Sequence, residues 1–280
     1  MIEIFRAIIL GVVEGLTEFL PISSTGHLIV TQRAIGFKDT AELFTVVIQI
    51  GAIGAVAWFY RVDLTNRITG LVKRDSGAVR FWINLIIATV PAGLVGLALD
   101  KTLQKYALPR TVAISLIAGG IVLWLIETYH PQNKPRPRQR GHEQTPANLD
   151  GITPKQALGV GIAQITSLIP GVSRSGATIV GGLLSGLDRV TATAFSFYLS
   201  IPVMILASGY KIIKEQDQIV QLPGGLAALI VGIVTSFITG LMAVSWLLGY
   251  VSRHDFKIFA YYRIVFGFFI LLLLSFGYLQ

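Results

Sequence analysis

Six long runs without a charged side chain constrain the fold of this sequence more than any other feature. A helix needs about 20 largely apolar residues to span a membrane, and each run reaches or approaches that length. The runs are residues 43–60, 81–99, 111–126, 190–210, 218–252 and 264–280. The fifth is longer than one span requires, so a loop at 222–225 is expected before its helix begins. The pattern predicts an all-α polytopic membrane protein.

The scarcity of charge excludes other classes of protein. Only 14% of the residues are Asp, Glu, Lys or Arg, whereas soluble proteins carry about 25%. A water-soluble enzyme and a disordered chain are excluded, as is a disulfide-rich scaffold, since the chain has no cysteine. The net charge of +8 is assigned to cytoplasmic loops, so no nucleic-acid partner is expected.

Two further apolar regions are interrupted by Pro, Gly and Ser. Residues 4–35 are interrupted at 21–26, and residues 156–187 are interrupted at 170–176. Each arm has about 12 to 18 residues, which is short for a span and favours a helix–loop–helix that enters the membrane and returns. The alternative is one kinked, full-length helix in each place.

The two interruptions are repeats of one another. Residues 23–26 (Ser-Ser-Thr-Gly) align with residues 173–176 (Ser-Arg-Ser-Gly) at a shift of 150. The single membrane domain then divides into pseudo-repeats 1–129 and 156–280, each with one re-entrant helix–loop–helix and three transmembrane helices. Three crossings invert the second pair relative to the first. Such an inverted repeat predicts a site near the bilayer midplane, where the two interruptions meet.

The segment 130–155 connects the two pseudo-repeats. It is rich in Pro, Gln and Arg, so we expect a loop that contributes nothing to a core. Lys and Arg are more abundant on its side of the membrane than on the opposite side. The positive-inside rule therefore predicts that this loop is cytoplasmic and that both termini lie outside.

Two acidic residues fall within the first interrupted region. Glu14 and Glu18 lie four residues apart and share one face of a helix. A carboxylate at membrane depth is costly unless it meets a cation, a proton or water, and such residues are functional by default. The alternative is an interfacial helix whose acids face solvent.

Adjacent hydroxyl groups follow these acids. Ser23, Ser24 and Thr25 could simply cap the next helix. Capping needs only one of them and does not require His27. With a histidine and two glutamates nearby, one hydroxyl could be activated as a nucleophile.

Arg174 is the only Lys or Arg in residues 156–188 and lies inside the second interruption. Its guanidinium presents donors in a fixed fork that suits phosphate oxygens. Hydroxyl donors surround it in the sequence at Ser173, Ser175 and Thr178. The alternative is a structural arginine paired with one of the two glutamates. The residues together favour phosphate-ester or diphosphate chemistry on a lipid, with a transporter as the rival class.

Three stretches resemble the bacterial undecaprenyl-diphosphatases, the bacitracin-resistance family. Residues 11–28 (GVVEGLTEFLPISSTGHL) are similar to the family's glutamate-rich first motif, and residues 170–178 (PGVSRSGAT) are similar to its second. Residues 259–263 (FAYYR) resemble a stretch before its last helix. The likeness runs essentially from end to end.

The resemblance implies removal of the terminal phosphate from undecaprenyl diphosphate, which recycles the lipid carrier for peptidoglycan and confers bacitracin resistance. It also implies a bacterial cytoplasmic (inner) membrane location, an active site that faces the outer, periplasmic side, and a divalent cation, Mg²⁺ or Ca²⁺. The oligomeric state, monomer or homodimer, stays open.

Residue roles follow from the same resemblance. Glu14 and Glu18 match carboxylates for metal binding or base work, Ser24 matches a nucleophile, His27 its acid–base partner, and Arg174 a phosphate clamp. Further positions match supporting, substrate-binding residues: Ser23, Thr25, Ser173, Ser175 and Thr178. Serine, histidine and metal-activated water all remain open as the attacking group.

Overall fold

A computed structural model describes residues 1–39, 42–129, 147–215, 217–218 and 222–279, and every regular element in these ranges is helical. In chain order the helices are α1 (Ile2–Thr17), α2 (Ser24–Ile35), α3 (Leu43–Phe59), α4 (Arg61–Val72), α5 (Ser76–Lys105), α6 (Pro109–Tyr129), α7 (Pro154–Ile165), α8 (Arg174–Leu184), α9 (Arg189–Lys214), α10 (Gly225–Val251) and α11 (Lys257–Ser275). Short 3₁₀ turns lie at Leu149–Gly151 and Thr166–Leu168.

The predicted membrane spans are helices. Within the described ranges, α5, α6, α9, α10 and α11 are long and apolar enough to cross a membrane. The sixth, α3, reaches that length only together with α4, and the pair is bent by 74°. Along α10, Ile230, Val234 and Ile238 are each half exposed at a spacing of four residues, as expected of a lipid-facing stripe. These findings confirm an all-α polytopic membrane protein.

Local sequence explains several helix ends. Thr153 caps α7 in a reciprocal capping box with Gln156, and α7 opens with a proline. Helix α2 ends at Gly36, whose φ of 65° favours glycine. Helix α10 begins at Gly225, directly after Gly224 with a φ of 77°, so the loop expected at 222–225 is present at residues 222–224.

Both interrupted regions form helical hairpins. At Gly181 in α8, a Cβ atom would lie 2.5 Å from the Cβ of Ala163 in α7, so the two helices run back along each other. A Cβ at Gly36, just after α2, would lie 3.4 Å from an Arg6 side-chain nitrogen near the start of α1. A single kinked helix would separate these residues by its full length. The kinked-helix alternative is therefore wrong for both regions.

The non-helical chain lies slightly earlier than predicted. It covers residues 18–23, which we call the first break, and residues 169–173, the second break. Ser23 and Ser173, each immediately before its helix, have positive φ angles of 69° and 72°. The same uncommon backbone conformation thus recurs at a shift of 150 residues.

Close helix contacts between the two halves also recur at a shift of 150 residues. Gly11 of α1 faces α10, where an added Cβ would lie 2.6 Å from the carbonyl oxygen of Gly232. Gly161 of α7 faces α5, where an added Cβ would lie 2.8 Å from the carbonyl oxygen of Ala88. Small residues allow this close approach between membrane helices. Each hairpin thus packs on the penultimate long helix of the other half, as a repeat requires, while inversion across the bilayer stays a prediction.

Parts of two segments between the predicted spans have regular structure or buried side chains. Helix α4 lies in a polar stretch between two of the predicted spans, and Arg67 on it pairs with Asp63 at 2.6 Å and Asp150 at 2.7 Å. In the predicted loop 130–155, residues 130–146 lie outside the described residues. The expectation of no core contribution is wrong for its end, because Leu149 and Ile152 are buried.

Candidate active site

The two breaks meet at a buried ion pair. Arg174, the first residue of α8, donates from Nη2 to Oε1 of Glu18 at 3.0 Å. The two side chains are only 11% and 7% exposed. This contact joins residues 156 positions apart, so the two interruptions meet as predicted. Arg174 pairs with a glutamate, which was the alternative considered for it, while its role as a phosphate clamp stays a prediction.

The other oxygen of Glu18 accepts a hydrogen bond from Ser24. The Ser24 hydroxyl donates to Oε2 at 2.6 Å, a short charge-assisted bond. Ser24 is the first residue of α2, and the side chain of the preceding N-cap residue, Ser23, makes no capping bond. The Ser24 hydroxyl therefore belongs to the site, and the capping alternative does not describe it.

Glu14 lies one helical turn before Glu18. The Glu18 N–H donates to the Glu14 carbonyl oxygen at 2.9 Å, so the helical geometry continues to Glu18 and both side chains share a face. Glu14 is 1% exposed and lies within electrostatic range of Glu18 and Arg174. The alternative of solvent-facing acids is wrong. Among the described residues, Oε1 of Glu14 has no hydrogen-bond partner.

Neighbouring elements fix the Arg174 guanidinium. Its Nη1 donates to the carbonyl oxygen of Ser196 in α9 at 3.0 Å, and its Cζ lies 5.9 Å from the ring centroid of Phe19. The Nε–H is buried and unpartnered within the described part of the chain. The two terminal nitrogens of the arginine are thus anchored, while its Nε–H donor stays unused.

Hydroxyls of the second break hold its backbone. Ser173 and Ser175 hydroxyls lie 3.0 Å apart, and Ser175 also bonds the Leu20 carbonyl oxygen at 2.9 Å, across to the first break. The Thr178 hydroxyl lies 2.7 Å from that of Ser196. These bonds build the frame around Arg174, while the substrate-binding role of the predicted hydroxyls stays a prediction.

His27 and Thr25 make no hydrogen bond to Glu18 or Arg174 within the described residues. His27 Nδ1 lies 2.8 Å from the carbonyl oxygen of Ser23, which can only accept, so Nδ1 carries the proton. Its Nε2 then accepts from the Tyr262 hydroxyl at 2.6 Å, and its ring stacks on Phe266. Thr25 is exposed. His27 thus bonds Ser23 and Tyr262, whereas the Ser24 hydroxyl bonds Glu18. The structure therefore brings Ser24 to Glu18 and not to His27.

Sequence reasoning missed two residues of α11. Tyr262 bonds His27, and Arg263 donates to main-chain oxygens of both breaks, Pro21 at 3.3 Å and Val172 at 2.9 Å. A signal for Arg263 was present, because it is the only charged residue in 258–280. The same isolation singled out Arg174.

The carboxylates fit a cation that is shared with a substrate. In the described ranges, no group of three or more His, Cys, Asp or Glu side chains could enclose a metal ion. Magnesium, however, is usually bound by one or two carboxylates together with water and substrate phosphates. Glu14 with its unpartnered oxygen meets that description. Glu18 lies one turn away, with its oxygens bonded to Arg174 and Ser24.

Long apolar helices, together with a buried cluster of acids, a hydroxyl and an arginine where two helix breaks meet, define a polytopic membrane protein with a buried polar site. The chain belongs to the family described as bacitracin resistance protein BacA, whose model matches residues 7–269. It is 47% identical over 282 residues to undecaprenyl-diphosphatase 1 of Burkholderia cenocepacia, covering 100% of this chain and 98% of that protein. It is 46% identical to undecaprenyl-diphosphatase of Nitrosospira multiformis, covering 99% and 97%.

Proposed function

We propose that this protein hydrolyses undecaprenyl diphosphate to undecaprenyl phosphate and inorganic phosphate. The observation that carries this proposal is a pair of unsatisfied groups in one buried site, the Nε–H donor of Arg174 and the Oε1 acceptor of Glu14. Buried polar groups normally have partners, so orphans in a polar site point to a missing ligand. A phosphate oxygen would meet the donor, and a cation or proton on that phosphate would meet the acceptor.

The relatives support the same reaction. Proteins aligned over 95–100% of the chain at 46–48% identity carry the name undecaprenyl-diphosphatase, and the family description gives bacitracin resistance. Removing the terminal phosphate regenerates the lipid monophosphate that carries cell-wall glycans. The transporter alternative is not favoured, because these relatives are named as hydrolases.

The proposed chemistry begins at Ser24. Its Oγ attacks the terminal phosphorus, Glu18 accepts the hydroxyl proton, and the bond from that phosphorus to the bridging oxygen breaks. Undecaprenyl phosphate leaves. Water then attacks the phosphoserine phosphorus and keeps its protons on the released phosphate, while the Ser24 oxygen takes back the proton held by Glu18. Arg174 stabilises charge on the transferring group.

Phosphate release by purified protein in detergent tests the proposed function. No transport can occur in a micelle, so turnover of undecaprenyl diphosphate identifies an enzyme, and we expect one phosphate released per lipid. The released lipid should be the monophosphate by mass spectrometry. Binding of the lipid without any phosphate release would contradict the proposal.

A divalent cation, Mg²⁺ or Ca²⁺, is part of the proposal. Glu14 and Glu18 would hold it, and it would neutralise charge on the diphosphate. We expect chelation to lower phosphate release by at least about 10²-fold, because metal ions supply several kcal/mol to such reactions. Adding back each cation separately should restore the rate and identify the ion. Full activity in excess chelator would leave the glutamates as acid–base groups only.

We further propose that the protein lies in the bacterial cytoplasmic membrane with the site open to the outer, periplasmic side. Single cysteines at Lys38 and Tyr106 should react with a membrane-impermeant thiol reagent in intact cells. Cysteines at Arg74 and Arg253 should react only after lysis, because the positive-inside rule places them in the cytoplasm. The native chain has no cysteine, so no background label is expected. Labelling of all four in intact cells would contradict this topology.

A further inference from the structure

Arg263 is a charged side chain in an unusual environment. It is 2% exposed and is the largest of the fully buried side chains among the described residues. Its guanidinium donates to main-chain carbonyl oxygens of Leu116 and Ser115 in α6, at 3.4 and 3.3 Å, and of Pro21 and Val172 in the two breaks. Within the described ranges no carboxylate lies at ion-pair distance from it. Burial of such a charge is costly, so its presence needs an explanation.

Two glycines make room for this guanidinium. A Cβ at Gly119 of α6 would lie 2.0 Å from Nη2 of Arg263. A Cβ at Gly176 of α8 would lie 2.8 Å from Nη1. Any other residue at either position would displace the guanidinium. Both α6 and α8 therefore accommodate this one side chain.

The carbonyl partners connect Arg263 to the reactive groups. Pro21 lies between Glu18 and Ser24 in the first break, and Val172 lies two residues before Arg174 in the second. Each break also contains a serine with positive φ, a backbone conformation that persists only where surrounding contacts enforce it. One rigid, planar group thus bonds the chain segments that carry the two halves of the site.

We propose that Arg263 is a positioning residue for phosphoryl transfer. The Arg263 guanidinium fixes the spacing between the Glu18–Ser24 segment and Arg174. The Ser24 oxygen and the Arg174 guanidinium can then contact the same phosphate. Misplacement of reactive groups by about 1 Å can cost 10²-fold in rate. This inference rests on the proposed function for its kinetic part and on geometry alone for its structural part.

Replacing Arg263 by lysine tests the kinetic part. Lysine keeps the charge but, as a point charge on a flexible stem, cannot bond both breaks in one geometry. We expect kcat to fall by about 10²-fold with KM changed by less than about threefold, because alignment is used mainly in the transition state. In an Arg174→Lys background the further loss should be small, since residues acting as one unit are non-additive. Losses that multiply would overturn the proposal.

Gly119→Ala perturbs the same group without changing its charge. We expect the same loss of kcat, because the added methyl group would displace Nη2. Gly267→Ala is the matched control, since its Cβ would lie 2.6 Å from Ile117 at the same α6–α11 interface but away from the guanidinium. It should lower the melting temperature to a similar degree and keep kcat. An equal kcat loss in Gly267→Ala would assign Arg263 a packing role only.

A distance measurement tests the geometry independently of activity. Spin labels on cysteines at Thr25 and Ile169, both exposed, report the separation of the chain beside the two breaks. We expect one narrow distance distribution in the otherwise wild-type protein and a broad one in Arg263→Lys. If the parent protein releases no phosphate, the proposed function fails while this measurement still decides the positioning role. Identical distributions in both proteins would overturn that role.

Discussion

Replacing Arg174 by lysine should lower the rate of phosphate release by about 10²–10³-fold although the charge is unchanged. The guanidinium uses Nη1 for the Ser196 carbonyl oxygen and Nη2 for Glu18, and keeps Nε–H in reserve. A lysine ammonium cannot hold both anchors and still present a donor to phosphate in a fixed direction. Single-turnover phosphate release, compared with wild type at saturating lipid, measures the effect.

Arg189→Lys is the matched control for this substitution. Arg189 makes a bidentate pair with the buried Glu127, at 3.0 and 2.6 Å, in the last turn of α6. Loss of this fork should lower the melting temperature and leave the chemical step unchanged. If Arg174→Lys turns over as fast as wild type, the phosphate clamp is wrong and Arg174 is a structural ion-pair partner.

Features with a local cause could be predicted from the sequence. The spans follow from uninterrupted apolar runs, and the hairpins follow from arms too short to cross the membrane. Glu14, Glu18 and Arg174 were found because an isolated charge in an apolar segment is costly and needs a partner. Arg263 carries the same signal at the edge of the last run, but its partners are main-chain oxygens, which no sequence pattern displays.

Features that depend on contacts between distant segments could not be predicted. The choice of Glu18 over Glu14 as the partner of Arg174 depends on how the first break turns. The helical order of α4 and the burial of Leu149 and Ile152 depend on neighbours far along the chain. His27 was expected beside Ser24 because they are close in sequence, but one turn of α2 directs its ring towards α11.

Residues that correspond at a shift of 150 differ in their side-chain chemistry at the site. At a shift of 150 residues, Glu14 corresponds to Gln164, and Ser24 corresponds to Arg174. Gln164 is fully buried, and its amide donates to the Ala88 carbonyl oxygen at 3.4 Å. The first half of the chain thus supplies Glu14, Glu18 and the Ser24 hydroxyl, while the second half supplies the Arg174 guanidinium. The two breaks share the positive φ of Ser23 and Ser173, whereas their side chains differ in chemistry.

Ser24→Ala should lower the rate of phosphate release by about 10³-fold or more, because loss of a nucleophile leaves only binding and charge stabilisation. Glu18→Gln should cause a loss of similar size, since the amide keeps the shape of the carboxylate but cannot accept the serine proton. Glu127→Gln is the control, because it also removes a buried carboxylate from an arginine pair. Glu127 lies on α6, 11 residues beyond Leu116, whose carbonyl oxygen bonds Arg263 beside the site.

The double variant Ser24→Ala/Glu18→Gln distinguishes the possible attacking groups. If Glu18 acts by taking the proton of Ser24, the double variant should be no slower than the worse single variant, since the two residues act as one unit. In addition, rapid acid quench of the wild-type reaction should trap phosphate on Ser24. A Ser24→Ala protein that keeps more than about a tenth of the wild-type rate would instead indicate attack by water. Multiplying losses would mean that the 2.6 Å bond between Ser24 and Glu18 is a ground-state contact and not the path of the proton.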